Sequence, residues 1–331
     1  MKIPAAVALC FAAATLVAAT PERASAQEVV LRYAGTLPVS HHVTRAQARF
    51  AELVAEKTGG KVKVEHYPAG QLYKAHDIPT AIATGSLDIG DNLVGVWTND
   101  AISEINDIPF LYRDGDHATK AWQRDGELFK LYTEKMRARQ IMPLGVTFIG
   151  SLFDFSSKTP LRTPADFKGR KIRSYGALAS EALRALGASP VTMDPGEMYL
   201  GLQSGTIDAA ITAITTLNTR KLWEAAGYAT ITEAGYGVFP MNMNLRKYES
   251  LSPEFQKALT DASWEVSAWS AEQAGGEDAK SLEFLRGKIE VTVLDAAAKK
   301  EWQTLLEPVV ESWKSRADPR EAALIEWIRG L

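Results

Sequence analysis

Apolar positions change their spacing twice within the first part of the chain. Val29 to Leu37 reads as a buried strand. From Val43 to Glu56, Val43, Ala46, Phe50, Leu53 and Val54 fall on one helical face, and Lys61 to Tyr67 alternates with its valines on one side. Gly59-Gly60 ends that helix by supplying left-handed backbone that a side chain resists. A second helix runs toward Thr84, and Gly85-Ser86-Leu87-Asp88-Ile89 opens a further strand. This β-α-β succession predicts a parallel sheet covered by helices.

The pattern recurs farther along the chain. Ser189 to Met193 reads as a strand, Pro195 to Gln203 as a helix, and Gly205-Thr206-Ile207-Asp208-Ala209 echoes the step at Gly85. Two similar α/β lobes are implied, with the crevice between the carboxyl ends of their strands as the ligand site to expect. Ile141 to Phe148 and Ser151 to Ser157 predict strands running through Gly150 from one lobe to the other, and Gly235 to Asn244 predicts a return crossing. Ser252 to Gly287 predicts one long helix. Lobe I is then 27–150 with about 238–278, and lobe II is 151–237 with about 279–331. Two or more crossings make a hinge, and lobes joined this way close around ligands.

The beginning of the chain has another character. Lys2, an apolar run from Ile3 to Ala19 and the small-residue pattern Ala24-Ser25-Ala26 predict a signal peptide, residues 1–26, and a soluble exported chain. The apolar run is too short to cross about 30 Å of hydrocarbon comfortably. Cys10, the single cysteine, lies inside this leader, so the exported chain has no thiols for disulfides, metal binding or nucleophilic chemistry. The net charge of -3 becomes -4 once a leader of net +1 is removed. A mildly acidic chain offers no basic groove to nucleic acid.

Catalytic motifs are not legible. None of the five histidines forms a His-Glu-x-x-His pair or a cysteine-histidine set, and no nucleophile elbow or glycine-rich phosphate loop is present. The expectation is a binding protein rather than an enzyme, with no cofactor and no metal site. His41-His42 follow Ser40, which predicts a Ser40 helix cap with both imidazoles in solvent. Trp223, Trp264, Trp269, Trp302, Trp313 and Trp327 fall at helical spacings and are expected in the core or between lobes. Arg173 sits in the short strand Lys171-Ile172-Arg173-Ser174-Tyr175. A guanidinium there can present two parallel donors to a carboxylate in the crevice, or it can be a surface arginine paired with a nearby acid; spacing alone leaves both open.

Several segments in order resemble the periplasmic solute-binding component of tripartite ATP-independent periplasmic (TRAP) transporters, the DctP family. They are Pro68-Ala69-Gly70-Gln71-Leu72, Gly85-Ser86-Leu87-Asp88, Asp107-Ile108-Pro109-Phe110-Leu111-Tyr112-Arg113, and Thr163-Pro164-Ala165-Asp166-Phe167-Lys168-Gly169 continuing to Arg173. Leu186-Gly187-Ala188-Ser189-Pro190-Val191, Glu197-Met198-Tyr199, Leu202 to Asp208 and Lys221-Leu222-Trp223-Glu224 complete the likeness. It implies a two-lobed periplasmic-binding-protein fold, type II-like, with hinge strands and a long connecting helix. It also implies a periplasmic monomer that captures an organic acid and hands it to TRAP membrane permease subunits. Arg173 matches the arginine that binds the substrate carboxylate, while Glu197 and Tyr199 match residues that do not touch it.

Where sugar-acid-binding members of the family carry a second arginine, an asparagine, an acid and a further arginine, this chain has Phe153, Thr212, Leu93 and Val96. A polyhydroxylated acid would leave hydroxyls unpaired here, at roughly 1 to 3 kcal/mol for each buried group. The expected ligand is therefore a monocarboxylate with an apolar or aromatic body, held by Arg173, with polar contacts from Asn92 and Thr212. Trp97 and Tyr236 are further expected lining residues. A C4-dicarboxylate is the alternative ligand, and service to an ATP-driven importer is the alternative system.

Overall fold

The computed structural model describes residues 29–97 and 100–331, so the expected leader and its Cys10 lie outside the described residues. The strands, in chain order, are β1 (Val29–Ala34), β2 (Val62–Tyr67), β3 (Ile89–Asp91), β4 (Ile141–Leu152), β5 (Asp154–Ser157), β6 (Lys171–Ser174), β7 (Ser189–Thr192), β8 (Ala209–Thr212), β9 (Tyr228–Ile231), β10 (Gly235–Asn244) and β11 (Glu290–Val293). They form two sheets, ordered β2-β1-β3-β10-β4 and β11-β9-β5-β8-β6-β7. In each, β-α-β units supply the parallel pairs, while the crossing strands pair antiparallel: β10 with β3 and β4, and β5 with β8 and β9. The chain is thus a two-lobed α/β protein.

The repeated Gly-x-x-Asp step has the same construction in both lobes. Gly85 (φ 84°) ends the helix Ile78–Thr84, and Gly205 (φ 79°) ends Met198–Ser204. Left-handed backbone at these points turns the chain toward the sheet at little cost only because no Cβ is present. Leu87 and Ile207 then plug into their cores with no exposed surface. The acid one residue later accepts a backbone N–H from the neighbouring strand or its edge: Arg32 N to Asp88 and Lys171 N to Asp208, both at 2.8 Å.

The hinge is a two-stranded ribbon. β4 passes into β5 through the single residue Phe153, whose φ of 75° takes the chain from one sheet to the other. β10 runs antiparallel to β4 along its length, from Gly235 opposite Leu152 to Asn244 opposite Ile141. The helix Pro253–Arg286 lies across β4, with Ser263, Ser267 and Ser270 bonded to its backbone. The segment after 279 touches both lobes rather than lobe II alone. In the helix Ala296–Arg316, Trp313 donates to the Ala101 carbonyl at 2.8 Å, and Arg320 of the helix Pro319–Arg329 makes a bidentate pair with Glu134 in the helix Glu127–Arg137.

One expectation is overturned beside the hinge. His41, not Ser40, caps the helix His42–Lys57: its Nδ1 accepts from Val43 N at 3.2 Å. Both imidazoles are buried, stacked with centroids 4.5 Å apart. His41 Nε2 lies 3.1 Å from the Thr215 hydroxyl of the other lobe, and His42 Nε2 lies 2.9 Å from the Phe148 carbonyl. An acceptor at His41 Nδ1 puts the ring proton on Nε2, so His41 donates to Thr215 and His42 donates to Phe148. Desolvation holds both rings neutral by lowering their pKa values.

Candidate functional site

The carboxyl ends of β1, β3, β6 and β8 face one another across the crevice, where sheets of this kind place ligands. β1 is followed by Thr36 and Leu37, and β3 by Asn92, Leu93 and Val96. From the other lobe come Arg173 on β6, Thr212 at the end of β8, and Tyr175. The hinge ribbon closes the floor with Ile149, Leu152 and Phe239. The enclosed cavity measures only about 30 Å³, little more than a water molecule needs. The lobes are therefore closed, and an organic acid enters only if they separate.

Arg173 is the centre of this site. It is 3 % exposed, with Nε donating to the Met193 carbonyl at 3.0 Å and Nη1 to the Ile211 carbonyl at 2.9 Å. Its guanidinium lies 5.7 Å from the Tyr175 ring centroid. These contacts fix the plane of the fork, and Nη2 has no hydrogen-bond partner among the described residues. Neither does any carboxylate form an ion pair with Arg173 among them. Burial pushes its pKa down to about 10, and nearby Arg220 adds to the effect. A buried cation without an anion is a costly arrangement unless an anionic ligand completes it.

Five of the eight expected lining residues meet at this cavity: Arg173, Thr212, Asn92, Leu93 and Val96. The side chain of Asn92 is already engaged, donating from Nδ2 to the Ala75 carbonyl at 2.7 Å and accepting Leu93 N at 2.9 Å. It shapes the loop after β3 as much as it faces the ligand space. Phe153, Trp97 and Tyr236 are placed elsewhere. Phe153 is 1 % exposed and meets Phe155 edge-on, at the head of a stack with Phe167 and Trp302. Its positive φ sends the ring into the core of lobe II. Trp97 is buried beneath the loop with its indole N–H 3.4 Å from the Asn92 carbonyl. Tyr236 lines a different cavity on the far face of the hinge ribbon.

Arg220 is the residue that sequence reasoning passed over. It follows the helix Ile214–Thr219, and its Nη2 donates to the Thr36 carbonyl of the opposite lobe at 2.6 Å, while its buried Nε has no partner. Burial pushes it down to about 10, with Asp194 acting against that. Asp194 itself accepts Ala75 N across the crevice at 2.8 Å, and Lys74 pairs with Glu197 at 2.9 Å. These contacts hold the lobes together at the cavity rim. Arg220 has no periodic or motif signal of its own; it stands one residue before Lys221-Leu222-Trp223-Glu224.

The model of one family, described as bacterial extracellular solute-binding protein, family 7 (DctP), matches residues 33–316. The chain belongs to that family. Among curated relatives, it is 28% identical to the C4-dicarboxylate-binding periplasmic protein DctP of Rhodobacter capsulatus over 92% of each chain. It is also 28% identical to the 2,3-diketo-L-gulonate-binding periplasmic protein YiaO of Escherichia coli, over 86% of this chain and 87% of the relative. Among solved structures, a Bordetella pertussis extracytoplasmic solute receptor binding pyroglutamic acid superposes with a TM-score of 0.86 at 23% identity, covering 91% of this chain and 99% of the other. That likeness is one of fold. The DctP family is a family of TRAP solute-binding proteins rather than of enzymes. Among the described residues no helix is long and apolar enough to cross a membrane.

Proposed function

We propose that this DctP-family protein is exported to the periplasm, captures a small monocarboxylate with an apolar or aromatic body by lobe closure, and delivers it to TRAP membrane permease subunits. One observation carries the ligand reading: Arg173 is buried without an anion and has Nη2 free in a cavity whose walls include Leu37, Leu93, Val96, Ile149, Leu152 and Phe239 beside the hydroxyls of Thr212 and Thr216. A carboxylate supplies the missing charge, and an apolar body matches the walls without leaving hydroxyls unpaired. The Thr212 hydroxyl, which has no hydrogen-bond partner among the described residues, is a polar contact for the second carboxylate oxygen.

Arg220 favours a second reading. As a second, partly buried cation in the cavity next to that of Arg173, with Nε unpaired, it supports a C4-dicarboxylate, the ligand named for the Rhodobacter capsulatus relative. A thermal-shift screen over aromatic monocarboxylates, aliphatic monocarboxylates, dicarboxylates and uronic acids separates the two. A ligand at 100 times its Kd raises stability by about 2.7 kcal/mol. Shifts confined to monocarboxylates support the first reading, and shifts confined to dicarboxylates replace it with the second.

A further inference from the structure

The two faces of the hinge ribbon line different cavities. Ile149, Leu152 and Phe239 face the organic-acid site, whereas Ser151 and Tyr236, directly opposite each other on β4 and β10, face a second space of about 740 Å³ on the far side. We propose that this second cavity binds a small organic cation bearing protonated amines, of the diamine or polyamine class.

Charge is the first ground. Asp114, Asp116, Glu233, Glu272 and Asp278 line the space against a single cationic lining residue, Arg113. Arg113 is turned to the Arg329 carbonyl at 3.3 Å, and Lys299 pairs with Glu233. Asp114, Asp116 and Glu272 have no cationic partner among the described residues, although Asp114 also caps a helix by accepting His117 N at 2.8 Å; Asp278 accepts Ser151 N at 2.7 Å, and burial raises it well above the usual carboxylate range, so it enters as an acceptor rather than as a full charge.

The second ground is a phenol that has no bond to make inside the protein. Tyr236 is only 9 % exposed, and its hydroxyl has no hydrogen-bond partner among the described residues. It projects to the lining residue Gly115, where a Cβ would stand 2.7 Å from Oη. Burial first, then Asp278, Asp116 and Asp114, push this phenol above its ordinary pKa, and all three acids line the same space. A phenol oxygen and carboxyl groups that line one space offer acceptors to the N–H donors of a ligand.

Shape decides between cations. Among the described residues no three acidic or histidine side chains converge as a metal ion requires. The acceptors instead come from the start of the helix Gly115–Ala121, the hinge ribbon and the helix Pro253–Arg286, spread over a roomy space that suits several N–H groups on a flexible chain. Gly275 on that helix keeps the wall open, with no heavy atom within 4 Å of a Cβ built there.

Isothermal titration calorimetry of spermidine into the purified protein, at neutral pH and constant ionic strength, tests the proposal. We expect one saturable site, weakened about tenfold or more in an Asp116→Asn, Tyr236→Phe double variant. It is also weakened in Gly275→Phe, which fills the open space and suits a helix better than glycine. Circular dichroism melts establish that each variant is folded, and Glu272→Gln, at an exposed position, stands in for any that is not. Absence of saturable heat, equal affinity in all the variants, or equal displacement by magnesium at matched charge would each overturn the assignment. None of these outcomes depends on which acid occupies the crevice.

Discussion

Replacing Arg173 by alanine separates a ligand anchor from a structural arginine. Burial disfavours this cation: the fall from 12.5 to about 10 corresponds to roughly 3 kcal/mol between its charged and neutral forms. Alanine removes that penalty while leaving the Met193 and Ile211 carbonyls without their donors, at about 1 to 3 kcal/mol each. The two effects oppose each other, so the ligand-free variant should melt within a few degrees of the parent. Binding has no such compensation. A carboxylate drawn into the closed crevice without its cation should lose about 3 to 5 kcal/mol, which is about a hundredfold to several thousandfold in Kd. Arg173→Lys keeps the charge without the planar fork and should fall between the two. The assay is titration calorimetry with the tightest acid from the screen, alongside melting curves of the ligand-free proteins. If folded Arg173→Ala binds that acid as tightly as the parent, the carboxylate is held elsewhere and the proposed site is wrong.

Three further outcomes are expected. Arg220→Ala removes the bond to Thr36 across the crevice, so calorimetry should show about tenfold weaker binding of a monocarboxylate and a larger loss for a dicarboxylate; an unchanged Kd for both would remove Arg220 from the closed state. Phe153→Ala truncates a ring in the lobe II core and should cost about 3 to 5 kcal/mol in denaturant unfolding with little effect on the affinity of the folded fraction; an intact stability with weakened binding would return this ring to the ligand. Asp107 is pushed up to about 8, by burial first and by Glu104 second. Its folded state keeps a proton that the unfolded chain releases near 3.8, so stability falls as pH rises from about 4 to 8 and levels off above. Melting temperatures should therefore drop across that window, and Asp107→Asn should flatten the drop between pH 7 and 8, above the values of about 7 and 6 for Asp91 and Asp154; an unaltered profile would mean that Asp107 is not the titrating group.

Local spacing was enough for much of the architecture. A helix with one apolar face, a glycine at its end and an alternating strand depend on contacts within a few residues, so the β-α-β units, the long helix and the echo of Gly85 at Gly205 were legible before any coordinates. Arg173 was picked out by its match to the family's motif, since the spacing of Lys171-Ile172-Arg173-Ser174 left a surface arginine equally open. What spacing cannot carry is the direction of a side chain where the backbone leaves its regular form. Phe153 looked like a cleft residue until its positive φ turned the ring into lobe II, and Tyr236 belongs to the other face of the ribbon because residues along a strand alternate in direction and the register with β4 selects the face. His41 and His42 read as a solvated pair beside a serine cap, yet packing against Phe148 and Thr215, more than a hundred residues away, buries them. Arg220 gains its meaning only from Thr36 in the opposite lobe. The sequence by itself determined the elements and their order, since those follow from local conformational preference and apolar periodicity, and its family likeness singled out Arg173 as the candidate anchor. The tertiary structure alone decided which side chains share the crevice, because that depends on lobe closure, strand register and contacts between residues far apart in the chain.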